Sequence, residues 1–179
     1  MIKIVNIAGT HVYPIFKNGY SAIEHYAEEH RCKWLFNEQC SRANPITVFL
    51  RRPKDRFVSG VHTYLEYELR KDSTLNEESV FHKIEKKQIT NEHFTQQFRW
   101  LEKLNEYYTG IVIVKTVNDL RNLISNRESP VIPELTLARR HRIREIQYDL
   151  SHDNLLYNNY VGAHLPLASL LKGVRDALS

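Results

Sequence analysis

The sequence predicts an α/β fold, a parallel sheet flanked by helices, on a single domain spanning residues 1–179. Three features carry that expectation. Ile46-Thr-Val-Phe-Leu-Arg51 is short and almost wholly apolar, as suits a parallel strand buried on both faces. Gly110-Ile-Val-Ile-Val-Lys115 has the same character. Segments with helical spacing separate and follow these runs, in the order strand, helix, strand, helix, helix, strand, helix.

The elements follow in chain order. Ile2 to Ala8 and Val12 to Phe16 read as short strands separated by Gly9-Thr10. Ser21 to about Trp34 reads as a helix, with Ile23, Tyr26, Ala27, His30 and Trp34 at helical spacing and Glu24, Glu28 and Glu29 toward water. Pro53 is placed to start a helix that Phe57, Val61, Tyr64, Leu65 and Glu68 continue. Lys71 to about Thr90 is polar and irregular, and is expected to be an excursion or mobile loop. Asn91 is a candidate cap for a helix bearing Phe94, Phe98, Leu101 and Leu104. A helix is expected over Val117 to Ile124, a loop at Pro130 and Pro133, and helical stretches over roughly 134–148 and 165–178.

Composition excludes several classes. At 42% hydrophobic and 26% charged residues the chain is neither disordered nor collagen-like. No apolar run approaches the roughly 18 to 20 residues that span a bilayer, so no membrane partner is expected. The N-terminal apolar stretch is too short and broken for a signal peptide. Cys32 and Cys40 are too few for a disulfide framework or a four-cysteine zinc site, which predicts a cytoplasmic chain with reduced thiols. No H-x-x-x-H or H-E-x-x-H spacing occurs, so no metal is expected. A net charge of +4 suits an anionic ligand without naming it.

Two segments carry candidate chemistry. Pro14-Ile-Phe-Lys-Asn-Gly-Tyr-Ser-Ala-Ile23 is a strand, a Lys/Gly/Ser turn and a helix. Such a turn aims backbone N–H groups at an anion. Lys17 supplies a charge, Gly19 permits close approach and Ser21 supplies a hydroxyl. The Walker A spacing is absent, and a strand-to-helix turn with Lys and Gly is more often a plain connection. In Val48-Phe-Leu-Arg-Arg-Pro-Lys-Asp-Arg-Phe-Val-Ser59, the strand delivers Arg51 at its carboxyl end and Ser59 follows about two helical turns later. Ligands of open α/β sheets bind beyond that end, where Arg51 and Ser59 can meet on one phosphate. The alternative is a solvated basic turn.

Together these segments resemble the sulfotransferases that use 3′-phosphoadenosine 5′-phosphosulfate (PAPS), and most nearly the carbohydrate sulfotransferases. That family has a P-K-x-G-[ST]-[ST] loop for the 5′-phosphosulfate, here Phe16-Lys-Asn-Gly-Tyr-Ser21. Its V-R-[DN]-P-x-x-R-x-x-S stretch for the 3′-phosphate appears as Leu50-Arg-Arg-Pro-Lys-Asp-Arg-Phe-Val-Ser59. Asn91-Glu-His-Phe-Thr-Gln-Gln-Phe98 is similar to its D-P-H-[FW]-x-P-Q segment. Tyr108-Thr-Gly-Ile-Val-Ile-Val-Lys-Thr-Val-Asn-Asp-Leu120 is similar to its Y-D-x-I-x-x-x-E-x-x-x-x-D-L segment. The chain departs from these patterns at Phe16, Tyr20, Arg52 and Lys115.

The resemblance implies a P-loop-NTPase-like sulfotransferase fold, in a minimal soluble form. It also implies sulfuryl transfer from PAPS, with no metal, to an acceptor hydroxyl, of a carbohydrate in the first place. Lys17, Asn18, Gly19, Tyr20, Ser21 and Ala22 are then the 5′-phosphosulfate loop, Lys17 neutralises the leaving phosphate, and Arg51 and Ser59 fix the 3′-phosphate. His93, His62 and Glu38 are the candidates for the general base, each with the alternative of a surface or structural residue. A second class of reading is a nucleotide- or nucleic-acid-binding protein without transferase activity. Leu137-Ala-Arg-Arg-His-Arg-Ile-Arg144 sets four arginines, Arg139, Arg140, Arg142 and Arg144, within six residues, with Tyr148 nearby. This is a candidate phosphate track, a donor or acceptor contact, or a solvated helix face. Nucleic acid is not the expected partner.

Overall fold

The structure is a computed structural model and describes residues 1–124 and 134–179. The loop expected at Pro130 and Pro133 lies outside the described residues. A six-stranded sheet carries the strands β1 (Lys3–Ile7), β2 (Thr10–Tyr13), β3 (Trp34–Phe36), β4 (Ile46–Leu50), β5 (Ile111–Thr116) and β6 (His164–Pro166), in the spatial order β3-β1-β2-β4-β5-β6. The α/β expectation holds, but the sheet is mixed rather than parallel. Only β2, β4 and β5 run parallel. β1 is antiparallel to both β2 and β3, and β6 is antiparallel to β5. The cause at β1 is local: Ala8 and Gly9, both at positive φ, turn the chain straight back, and so short a connection permits only antiparallel pairing.

Alternation along the strands sends side chains to two faces. Ile46, Val48 and Leu50 meet one apolar layer and Phe49 the other, so all five residues of β4 are buried. The first face is covered by α4 (Gln97–Asn105), α7 (Ser151–Tyr160) and α8 (Leu167–Asp176), through Phe98, Leu101, Leu156, Leu170 and Val174. The second is covered by α1 (Tyr20–Glu29) and α5 (Val117–Ile124), through Ile23, Ala27, Leu120 and Ile124. A further apolar cluster joins α2 (Pro53–Lys71), α3 (Glu77–Glu85) and α6 (Leu137–Glu145), with Phe57, Val61, Phe81 and Ile143 inside it.

Several boundaries differ from the sequence reading. The first helix stops at Glu29 because Arg31 turns left-handed, with Cys32 N–H bonding back to the Ala27 carbonyl. Trp34 therefore opens β3 rather than closing a helix. The polar stretch after Lys71 contains α3, whose Asn76 cap accepts from Ser79 N–H at 3.1 Å. Asn91 caps a turn instead of a long helix: its Oδ1 accepts from His93 N–H at 3.0 Å, and α4 starts at Gln97. The late helices fall where expected, as α6 and α8, but α7 and β6 between them are additional.

One glycine fixes how the 91–96 turn meets α2. A Cβ on Gly60 would lie 2.1 Å from the His93 carbonyl oxygen and 2.7 Å from its carbon, both backbone atoms that cannot swing aside. Alanine is favoured over glycine in a helix by about 1 kcal/mol. Overpacking nonetheless reverses the sign here, and Gly60→Ala is expected to destabilise by about 1–3 kcal/mol in urea unfolding. A stabilised variant would contradict this contact.

Candidate functional site

The loop from Pro14 to Gly19 leaves β2, and Arg51 leaves β4, at the carboxyl ends of two neighbouring parallel strands. The loop turns tightly, with Asn18 N–H bonded to the Ile15 carbonyl at 3.0 Å. Lys17 sits in that turn at φ 65°, a left-handed conformation that costs a non-glycine residue about 1–2 kcal/mol. Three contacts hold it there. Arg56 Nε donates to the Phe16 carbonyl at 3.0 Å, Arg51 Nη1 reaches the Lys17 carbonyl at 3.5 Å, and Asn18 Nδ2 donates to the Phe49 carbonyl at 2.7 Å. Gly19, at φ 85°, caps α1, and a Cβ there would lie 2.4 Å from Leu120 Cδ2. The first helical bond is Ile23 N–H to the Gly19 carbonyl, so the N–H groups of Tyr20, Ser21 and Ala22 stand ahead of the helix ladder.

Pro53 opens α2 directly after the Arg51 turn. Ser59, His62 and Thr63 then share one helix face by their spacing and line a cavity of about 520 Å³ with Arg51, Arg140 and Arg144. Asp55 and Glu134 border the same space. Lys17 Nζ donates to Thr63 Oγ1 at 2.6 Å, and Thr63 Oγ1 donates to the Ser59 carbonyl at 3.0 Å. The loop lysine is thereby tied to the helix that carries Ser59.

Cations here are crowded and partly stripped of water. Burial, and then Arg51 and Arg56, hold the Lys17 ammonium down to about 8. Arg51 is also lowered, by burial first, with Asp55 opposing and Arg121 and Arg140 adding to it. Arg56 is 1% exposed and brought down to about 10 by burial. Its Nη1 donates to the Thr95 carbonyl, while its buried Nη2 has no partner among the described residues. His93 is lowered to about 4 by burial, then by Lys17 and Arg56, and its buried Nδ1 is likewise unpartnered.

The candidate residues thus separate. Lys17, Asn18, Gly19, Arg51, Ser59 and His93 gather at one end of the sheet, and His62 lines the cavity. Asn18 is 1% exposed with its amide in the core, so its side chain is structural and its backbone faces the turn. Ser21 is exposed. The two replaced loop positions meet each other: Phe16 and Tyr20 stack at 4.3 Å between centroids, with Trp100 5.3 Å and His93 5.5 Å from Phe16. Glu38 is not brought to the site. It is exposed in the 3₁₀ turn Asn37–Arg42 and borders a different cavity with Asn44, Thr109 and Gly110, at the amino ends of β4 and β5. β4 alone separates it from Arg51 by about 13 Å at ~3.3 Å per residue.

The arginine-rich helix is not a free track. Arg139 is held by Glu66 and Glu77, Arg142 by Glu78 at 2.8 Å and Arg144 by Asp55 at 3.0 Å. These pairs pin α6 to α2 and α3. Sequence reading did not single out Thr63, Arg56 or Gln97. Gln97 Oε1 accepts from Arg51 N–H at 2.9 Å and its Nε2 donates to the Arg51 carbonyl at 3.0 Å. The signal for Thr63 was its place one turn beyond Ser59; Arg56 and Gln97 lay inside the quoted segments. Among the described residues no cluster of side chains suits a metal ion, and no helix is long and apolar enough to cross a membrane.

His93 makes stability pH-dependent. Its folded value lies below the ordinary 6.5, so the unfolded chain takes up a proton first. The stability that neutral His93 contributes is complete above about pH 6.5 and is lost as pH falls toward about 4. His93→Gln should flatten that part of the pH–stability curve in denaturant titrations; an unchanged slope would contradict the buried neutral imidazole.

Comparison with models of protein families finds no match to this chain, and comparisons with curated proteins and with solved structures find none either.

Proposed function

We propose that the chain is a PAPS-dependent sulfotransferase of P-loop-like architecture that acts on an acceptor hydroxyl, of a carbohydrate in the first place. The observation that carries this reading is the convergence of Arg51 and Ser59 on one cavity at the carboxyl ends of parallel strands, with Arg51 reaching back to the Lys17 carbonyl. The two segments that resemble the donor-binding motifs are 34 residues apart at that contact. Folding nevertheless joins them where an α/β sheet takes its ligands. A volume of about 520 Å³ is in the range of nucleotide-sized sites.

In this reading the 3′-phosphate lies against Arg51 and Ser59 and the phosphosulfate against the loop of Lys17 to Ala22. The sulfur–oxygen bond to the 5′-phosphate breaks as the acceptor oxygen bonds to sulfur in line. Lys17 neutralises the phosphate that leaves. His93, uncharged near neutral pH, is the base that takes the acceptor proton, a step worth about 10² to 10⁴ in rate. His62, on the cavity wall beside Ser59, belongs to the donor side of the same space. The Lys17–Thr63 bond favours one second reading, nucleotide binding without transfer, since it leaves the ammonium occupied.

Calorimetry tests the donor assignment. 3′-Phosphoadenosine 5′-phosphate should bind far better than adenosine 5′-phosphate, and Arg51→Ala should cost about 1.5 to 3 kcal/mol of that binding. Equal affinities would remove the 3′-phosphate from this site. Turnover separates the two readings: Lys17→Ala should lower sulfuryl transfer more than it lowers affinity for the product nucleotide.

Lys17 adds a pH signature. Its ammonium, lowered to about 8, is largely uncharged at about pH 9, and a bound anion raises it again. Binding at about pH 9 should therefore take up a proton, seen as a dependence of the heat on buffer ionisation enthalpy. Lys17→Met should abolish that dependence.

A further inference from the structure

The arginines of α6 divide by what they meet. Arg139, Arg142 and Arg144 each close on a carboxylate of α2 or α3. Arg140 is exposed, lies on the cavity that Arg51 and Ser59 line, and has no carboxylate paired with it among the described residues. Carboxylates are not scarce around this helix, since its three neighbours find four of them. Of the two that border the cavity, Asp55 is engaged by Arg144, and Glu134 is exposed. Arg140 also repels Arg51 electrostatically. Two guanidinium groups on one cavity, neither in an ion pair among the described residues, form an arrangement that a shared anion makes favourable.

We infer that Arg140 is a second guanidinium of a phosphomonoester site, shared with Arg51 and Ser59. A phosphomonoester dianion offers three oxygens around one phosphorus. Two planar guanidinium forks and one hydroxyl match that valence better than they match a singly charged diester. The three paired arginines hold α6 against α2 and α3, so that Arg140 is presented to the cavity by a fixed helix. For the identity of the ligand as the donor's 3′-phosphate, the inference rests on the proposed function; for the class of ligand it stands on the cavity alone.

Calorimetry on the full chain decides it, with Arg140→Gln, Arg140→Lys and, as a control, Arg142→Gln, whose guanidinium is engaged by Glu78. The probes are 3′-phosphoadenosine 5′-phosphate, adenosine 5′-phosphate and inorganic phosphate. Arg140→Gln should weaken the bisphosphate about 10- to 100-fold, leave adenosine 5′-phosphate within about twofold, and be partly rescued by Lys. An exposed side chain leaves the core untouched, so the melting temperature should not move. Unchanged bisphosphate affinity in Arg140→Gln, with Arg51→Ala still damaging, would overturn the role of Arg140 and leave the donor assignment standing. Equal loss in Arg142→Gln would reduce the effect to general charge and overturn it too. Should the wild type not distinguish the two nucleotides, the donor assignment falls. Inorganic phosphate binding lost in Arg140→Gln would then still support the site, and its absence in the wild type would overturn it.

Discussion

Gln97 is the residue on which the site depends. Its amide pairs with both backbone groups of Arg51, much as a neighbouring strand would. The same Oε1 accepts from Asn18 Nδ2 at 2.6 Å, and the Gln97 N–H donates to Asp153 Oδ2 at 2.8 Å. Asp153 Oδ1 also takes the Phe98 N–H at 2.8 Å, so one buried carboxylate caps the start of α4. One buried amide therefore joins the β2–α1 loop, the end of β4, the start of α4 and α7. Gln97, Asn18 and Asp153 are buried, where an unpaired donor or acceptor costs about 1–3 kcal/mol. Partial rearrangement would strand several at once, which makes the geometry around Arg51 all-or-none.

That rigidity permits an electrostatic arrangement the chain would otherwise relax. Burial lowers the affinity of Lys17, Arg51, Arg56 and His93 for protons, and neighbouring cations lower it further: Arg51 and Arg56 at Lys17, Arg121 and Arg140 at Arg51, Arg51 at Arg56, and Lys17 and Arg56 at His93. Carbonyl oxygens of Phe16, Lys17 and Thr95 satisfy some of the N–H groups but cancel no charge. Asp153 offsets Arg56 at a distance, and Asp55 offsets Arg51. Clusters of perturbed titratable groups in a cleft are characteristic of functional sites. The left-handed Lys17 belongs to the same account, since its strain persists only where neighbours hold it in place.

The parts of this architecture that were readable in the sequence rest on local physics. β4 and β5 were legible because a short apolar run bounded by polar residues has few other uses. Arg51 and Ser59 were legible because a strand end and a helix start fix their separation. The antiparallel edges were not: β3 and β6 have three residues each, too few to show a period. Asp153 was invisible because its partners are 55 and 56 residues away, and nothing in its neighbourhood marks it as buried. Glu38 failed as a site candidate for a topological reason, since its turn precedes β4 and so falls at the strand's amino end. The arginines of α6 looked uniform as a run of letters and differ only in which carboxylates the fold brings to each.

The loop's departures from the sulfotransferase pattern are connected through space. Phe16 and Tyr20 replace a proline and a small hydroxyl residue, and their rings stack nearly parallel, at 13°. Proline stiffens a loop by fixing φ. A stacked pair, backed by Trp100 and His93 and held by Arg56 at the Phe16 carbonyl, stiffens it through side chains instead. Lys3 lies over the Tyr20 ring at 4.9 Å and pairs with Glu24 at 2.6 Å, which ties the far side of the stack to β1 and α1. A single replacement would remove the ring-on-ring stack beside the Lys17 turn. The two together restore a rigid loop, which is what Lys17 needs if its left-handed backbone is to persist.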